Sequence, residues 1–232
     1  MKRLSLKTLC LAAMMFIAGA NVHAQLEQSV FLNLALHGAQ LNDKVSLAPG
    51  QYCLGIDNIG MDATAGFGLG YRTGFRFDVG FGDVTPFVSA DLFWNRVKSD
   101  VRDNLSLNDG KSANYLNIPL MIGVNYGYQL TDVFRPFGEF GLGYDMFLIT
   151  GEGAKSSSVL PYYKYSTKGT FAWQIGAGCY FGSHVSAGIH YYGFGKHSVS
   201  YRKNSTFLPT DNQSATVLRS AGAWTLRIGF HF

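Results

Sequence analysis

The chain has 232 residues, a formal charge of +4, 15% charged residues, 15% aromatics and 28 glycines. Soluble domains usually carry about a quarter charged residues. This composition argues against a solvated globular surface and suits strands with one face in lipid and small residues on the other. It contains no basic run of the kind that marks a nucleic-acid footprint, and no Cys/His spacing of the metal-binding type.

The N-terminus reads as a targeting segment. Met1, Lys2, Arg3 and Lys7 make a basic start, residues 9–20 a short apolar run, and Val22-His23-Ala24 a compact cleavage site. Residues 1–24 are therefore expected to be a secretory signal peptide, and residues 25–232 the mature domain. Lys2, Arg3 and Lys7 supply three of the four net charges, which leaves about +1 for the rest. Lipidation at Cys10 is not favoured, because a cut there leaves almost no apolar run. Cys53 and Cys179 fall in a loop and on an apolar strand face, so no disulfide is expected between them.

The remaining chain has no helical membrane span of 18 consecutive apolar residues. Period-two alternation recurs instead. Val30, Leu32, Leu34 and Leu36 oppose Ser29, Asn33 and His37. Over 62–79, Ala63, Phe67, Leu69, Tyr71, Phe75 and Phe77 oppose Gly66, Gly68, Gly70, Arg72, Gly74, Arg76 and Asp78. Val88, Ala90, Leu92 and Trp94 oppose Ser89, Asp91 and Asn95. The cleanest stretch is 115–128, where Leu116, Ile118, Leu120, Ile122 and Val124 oppose Asn117, Gly123 and Asn125. Phe140, Leu142, Tyr144 and Met146 then oppose Arg135, Glu139 and Asp145. Phe171, Trp173, Ile175 and Cys179 oppose Gln174 and Gly176. Val185, Ala187, Ile189 and Tyr191 oppose His184, Ser186 and His190. Finally Trp224, Leu226, Ile228, Phe230 and Phe232 oppose Thr225, Arg227 and His231.

Eight such segments imply an all-β fold, an eight-stranded antiparallel transmembrane β-barrel of the up-and-down meander type. The connections alternate between short (80–83, 129–133, 182–183) and long (41–60, 98–112, 151–167, 200–215). That pattern assigns the short ones to periplasmic turns and the long ones to extracellular loops. A soluble barrel with a greasy interior would need charged outer faces, and the faces opposite the apolar ones are too poor in charge for that. Phe232 lies in phase with the preceding apolar positions. Trp224, Phe230 and Phe232 look like the terminal aromatic signal read by the barrel assembly machinery, which makes that machinery an expected partner.

Two adjacent segments carry a family resemblance. Tyr115-Leu-Asn-Ile-Pro-Leu-Met-Ile-Gly resembles the YLxIPL strand of outer membrane β-barrel domain proteins labelled PorT-like. Phe134-Arg-Pro-Phe-Gly-Glu-Phe-Gly-Leu-Gly-Tyr is similar to the strand that follows it there. The resemblance implies a porin-family barrel of eight strands in the cell outer membrane. It also implies that Pro119 is tolerated through a bulge or local bend, and it does not by itself imply a secretion role.

The inward faces collect Arg72, Arg76, Asp78, Asp91, Arg135, Glu139, Asp145, His184, His190, Arg219 and Arg227. Eight strands leave room only for side chains, and buried charges need partners. These residues are therefore expected to plug the lumen, with Glu139 and Asp145 paired to arginines among Arg72, Arg76, Arg135 and Arg227. An enzyme needs a nucleophile beside an oriented base. His184, His190 and Ser186 share a face but assemble no such set, and His197 and Ser198 point to opposite faces. The glycine-rich stretches lack a following helix and so do not suggest nucleotide binding. No catalytic residue, metal or cofactor is expected. In the outer loops, Lys155, Tyr162, Tyr163, Lys164, Tyr165, Tyr201, Arg202 and Lys203 are candidates for contact with lipopolysaccharide or other outer membrane lipid. The expected role is structural, in loop-mediated binding or in an envelope protein complex. A small passive pore is the alternative, and a lipid-modifying enzyme is third.

Overall fold

The computed structural model describes residues 25–38, 43–51, 53–54, 58, 62–131, 133–154, 162–204 and 216–232. The expected signal segment, residues 1–24, lies outside them.

Eight long strands close one antiparallel barrel. They are β1 (Gln25–Gly38), β2 (Gly66–Asp78), β3 (Asp83–Arg96), β5 (Asn114–Gly127), β6 (Phe134–Ile149), β9 (Thr170–Phe181), β10 (Val185–Asn204) and β11 (Thr216–His231). Each pairs with its neighbour in this order, and β11 returns to β1 with Leu32 opposite Ile228 and Asn33 opposite Arg227. Closure removes the sheet edges that an open sheet would present. Three short strands stand above the barrel at its loop end: β4 (Gly110–Lys111), β7 (Glu152–Ala154) and β8 (Tyr162–Lys168). At the opposite, turn end, the connections are 79–82, 128–133 and 182–184. Gly80 and Gly182 there have φ of +87° and +64°, a region open to glycine at no steric cost.

The alternation read from sequence is the alternation of inside and outside. Leu32, Leu69, Leu92, Ile122, Leu142, Ile175 and Ile228 form an exposed apolar belt around the middle of the wall. Asn33, Arg72, Asp91, Asn125, Glu139, Gln174, His190 and Arg227 are buried inside. A bilayer is the solvent that makes this inversion stable, because the strand backbones pair with one another around a closed wall.

Of the bulge or local bend expected at Pro119, no bulge forms. On either side of Pro119 the β3–β5 register is the same, with Ala90 opposite Leu120 and Phe93 opposite Asn117, and the two pairs between them are absent. Pro86 interrupts β2–β3 in the same way, between Gly74–Phe87 and Phe77–Val84. A missing N–H removes local ladder bonds without adding a residue, so the inward and outward faces keep their phase.

Among the described residues, the one register shift in the wall lies elsewhere. In β10, Phe194 pairs with Ala221 and Lys196 with Ser220, so Gly195 is an extra residue relative to β11. Before it the inward positions are even (His190, Tyr192, Phe194), and after it they are odd (His197, Val199). A bulge has this effect because side-chain direction alternates with each residue. Strand β8 continues β9 across Gly169 and pairs with the outer half of β10, from Lys168 opposite Ser198 to Tyr162 opposite Asn204.

Described parts of the long connections form regular elements where loops were expected. Residues 99–107 form a helix, α1 (Ser99–Leu107), with Val101 and Leu105 on one face four residues apart. Tyr162, Tyr163, Lys164, Tyr165, Tyr201, Arg202 and Lys203 sit on β8 and β10 rather than in loops. Lys155 lies outside the described residues.

Candidate functional site

The interior is filled in two layers among the described residues. The layer toward the loop end is apolar. Leu54 from the first long connection and Val101 and Leu105 from α1 pack down onto Phe93, Tyr115, Phe147, Tyr192, Phe194 and Val199 of the wall. Phe93 meets Tyr192 edge-on with ring centroids 5.1 Å apart. Burial of such side chains is worth about 1.5–3 kcal/mol each. That favours holding the connection and helix against the barrel mouth.

The layer beneath is ionic. Arg72 donates to Glu139 Oε2 at 2.7 Å. On the other side of Glu139, Oε1 lies 3.6 Å from Arg227 Nη1 and 3.0 Å from His190 Nε2. Arg227 Nη2 reaches Asp91 Oδ1 at 3.1 Å, and its Nε donates to Asn33 Oδ1 at 2.9 Å. Tyr192 also donates to Asp91 at 2.9 Å. Asn125 and Gln174 donate to Glu139 at 3.4 and 3.3 Å. Two arginines thus face two carboxylates. Their flat guanidiniums also lie on rings, Arg72 over Phe87 at 4.0 Å and Arg227 over Phe31 at 4.4 Å. Glycines make the space: a Cβ on Gly70 would stand 2.1 Å from Asp91 Oδ1, and one on Gly176 2.0 Å from the His190 ring.

Several expected members of this network sit elsewhere. Asp145 faces inward but pairs with His197, at 3.1 Å, and not with an arginine. The Gly195 bulge causes this, since it turns His197 into the lumen instead of Ser198. Arg135 pairs with Asp83 and lies over Tyr180. Arg76 donates to Gln25 at the turn-end mouth. Asp78 is exposed and accepts the Gly80 N–H at 2.7 Å. His184 is exposed in the turn. The Arg219 side chain is outside what is described.

Other contacts had no counterpart in the sequence reading. At the turn-end mouth, His231 Nε2 is 2.7 Å from Ser186 Oγ. Its Nδ1 is 2.8 Å from Ser29 Oγ and 3.4 Å from Glu27 Oε1. This order resembles nucleophile, base and acid. Ser186 is only 3% exposed, however, and the 220 Å³ mouth pocket is lined by Glu27, Arg76, Arg135, His184 and His231 but not by Ser186. The hydroxyl lies behind the imidazole.

At the loop end, Asp62 organises the first connection from a left-handed conformation (φ 52°). It accepts from Lys98 Nζ at 2.5 Å and from the Val45 N–H at 2.6 Å. Its partial burial pushes its pKa up, but the Lys98 ammonium and the Val45 amide outweigh this and hold it below the usual 3.8. Tyr165 donates to Glu152. Burial, then the neighbouring carboxylate, pushes its phenol upward. Of the eight outer candidates, Tyr165 thus turns partly inward, while Lys164 is exposed. Among the described residues there is no cluster of three or more metal-ligating side chains.

The chain is similar to several solved structures at low identity. Neisserial surface protein A is 9% identical, covering 90% of this chain and 97% of that one, with a TM-score of 0.47. OprG from Pseudomonas aeruginosa is 14% identical over 89% and 94%, with a TM-score of 0.48. Ail of Yersinia pestis is 11% identical over 89% and 97%, with a TM-score of 0.40. No protein of curated function matches the sequence. The model of the outer membrane protein beta-barrel domain matches residues 8–232, so this eight-stranded chain belongs to that family and to the outer membrane.

Proposed function

We propose that this barrel is a closed, non-catalytic element of the outer membrane that acts through its extracellular rim, in recognition or beside an envelope protein complex. The observation that carries this reading is the doubly filled lumen: Leu54, Val101 and Leu105 above, and the Arg72–Glu139–Arg227–Asp91 network below. An ion crossing it must separate buried pairs, which costs several kcal/mol per uncompensated charge. The motif over 115–148 supports grouping the chain with PorT-like small barrels. The backbone positions of Lys164 on β8 and of Arg202 and Lys203 on β10, at the loop end, are in keeping with this reading.

Planar-bilayer recording on the refolded protein tests the closed state. The expected trace is flat. Reproducible unitary steps from the unmodified barrel would favour the small-pore reading instead. Ser186, His231 and Glu27 give the enzymatic reading its geometry, and the burial of Ser186 weighs against it.

A further inference from the structure

We propose that the rim around Arg96 is a binding site for one lipid with a phosphate-bearing headgroup in the outer leaflet, whose acyl chain lies in the groove below Trp94. The proposal rests on the orientation adopted above, with the loop end outside.

Arg96 ends β3 on the same outward parity as Val88, Leu92 and Trp94. Its guanidinium lies 4.5 Å above the Trp94 ring, at the upper edge of the apolar belt. Tryptophan at this level marks the boundary between hydrocarbon and headgroups. Stacking holds the guanidinium flat and leaves its edge N–H groups for a planar or tetrahedral anion.

The same arginine lines a pocket of about 310 Å³ with Arg102, Asp103, Ser106, Lys111 and Asn114. Three cationic side chains face the single carboxylate of Asp103. Arg102 approaches that carboxylate only at 3.6 Å, and both side chains are exposed, so the pair neutralises little of the local field. Arg96, Arg102 and Lys111 are all exposed. Strand β5 places Asn114 directly opposite Arg96.

From Trp94, two residues nearer the middle of β3, a groove of about 570 Å³ runs across β3, β2, β1 and β11. Trp94, Phe67, Leu34 and Leu226 line it on one rung of the wall, and Leu92, Leu69, Leu32 and Ile228 on the rung nearer the middle. Phe67 is 75% exposed opposite Trp94. The Trp94–Arg96 stack joins the two cavities, so a charged head and an apolar tail are accepted in the vertical order that a membrane lipid presents them.

Native mass spectrometry of the detergent-purified barrel tests this with lipid A, dephosphorylated lipid A and inorganic phosphate as probes. The expected result is retention of one lipid A per barrel, and affinity at least about tenfold lower for R96Q/K111Q and for the dephosphorylated lipid. Arg96→Lys is expected to recover only part of the loss, because it keeps charge without the stack. Lys111→Gln alone serves if the double variant does not refold. Equal retention of both lipids, unchanged retention by the variants, or displacement by millimolar inorganic phosphate overturns the proposal. A conducting barrel would overturn the closed-lumen reading and leave this result standing.

Discussion

His197 Nε2 stands 3.1 Å from Asp145 Oδ2, with both side chains closed to solvent inside the wall. The geometry is off the line of a straight hydrogen bond. Neither residue reaches the other without Gly195, whose insertion rotates the rest of β10 by one position. Replacing His197 with leucine is expected to strand a buried carboxylate and destabilise the barrel by about 3–5 kcal/mol. Adding Asp145→Asn should restore part of that loss. Urea unfolding in detergent measures both, and a double variant no more stable than H197L would show that the carboxylate was not the stranded group.

Gly70 supports the ionic layer through the space it leaves. A methyl group there meets Asp91 Oδ1 at 2.1 Å, and Asp91 cannot retreat without leaving Arg227. Gly70→Ala is expected to cost about 1–3 kcal/mol. Gly38→Ala, where nothing lies within 4 Å, should change stability by less than about 0.5 kcal/mol. Similar unfolding midpoints for the two variants would contradict the packing argument.

The Asp62–Lys98 contact gives the first connection an acid-sensitive anchor. The folded carboxyl is held below its usual 3.8. Its contribution is therefore fully present above that value and fades as pH falls through the lowered one. Limited proteolysis with an acid-active protease should find the wild-type connection protected near pH 5 and exposed at the acid extreme. Asp62→Asn should be cut at both. Cleavage of the variant that rises and falls with pH as in wild type would exclude this anchor.

The mouth contact of Ser186, His231 and Glu27 makes an equally direct prediction. A fluorophosphonate probe is expected not to label Ser186 in the folded barrel, because His231 covers it. Ser186→Ala should fold normally and lose one hydrogen bond, worth about 0.5–1.5 kcal/mol. Stoichiometric labelling of the native protein would establish a serine nucleophile.

The strands were legible because lipid demands an apolar outward face at every second residue, as in Leu116 to Val124. The inward face obeys a weaker rule. It requires only that polar groups find partners, and several pairings satisfy that. The sequence therefore suggested arginine for Asp145, while the bulge delivered His197. Gly195 was one glycine among many, and its only signal was the change of buried parity from His190 and Tyr192 to His197 and Val199. Helix α1 was hidden for another reason. Just Val101 and Leu105 are buried in nine residues, too few to mark a helical period. The register-preserving gaps at Pro86 and Pro119 also follow from a missing donor, an effect that leaves the apolar pattern untouched.

Arg227 donates to Asn33 across 194 residues of chain, and His231 reaches Ser29 across 202. These contacts cannot form until the last strand meets the first. Loop-closure entropy makes that meeting a late event. After it, Arg227 and Asn33 are sealed together with Asp91. Seam formation and charge dehydration are thus one step, and they reverse as one step. Opening the β1–β11 seam sideways into the bilayer must expose both ions to hydrocarbon, which makes the ionic layer a latch on the youngest joint of the barrel.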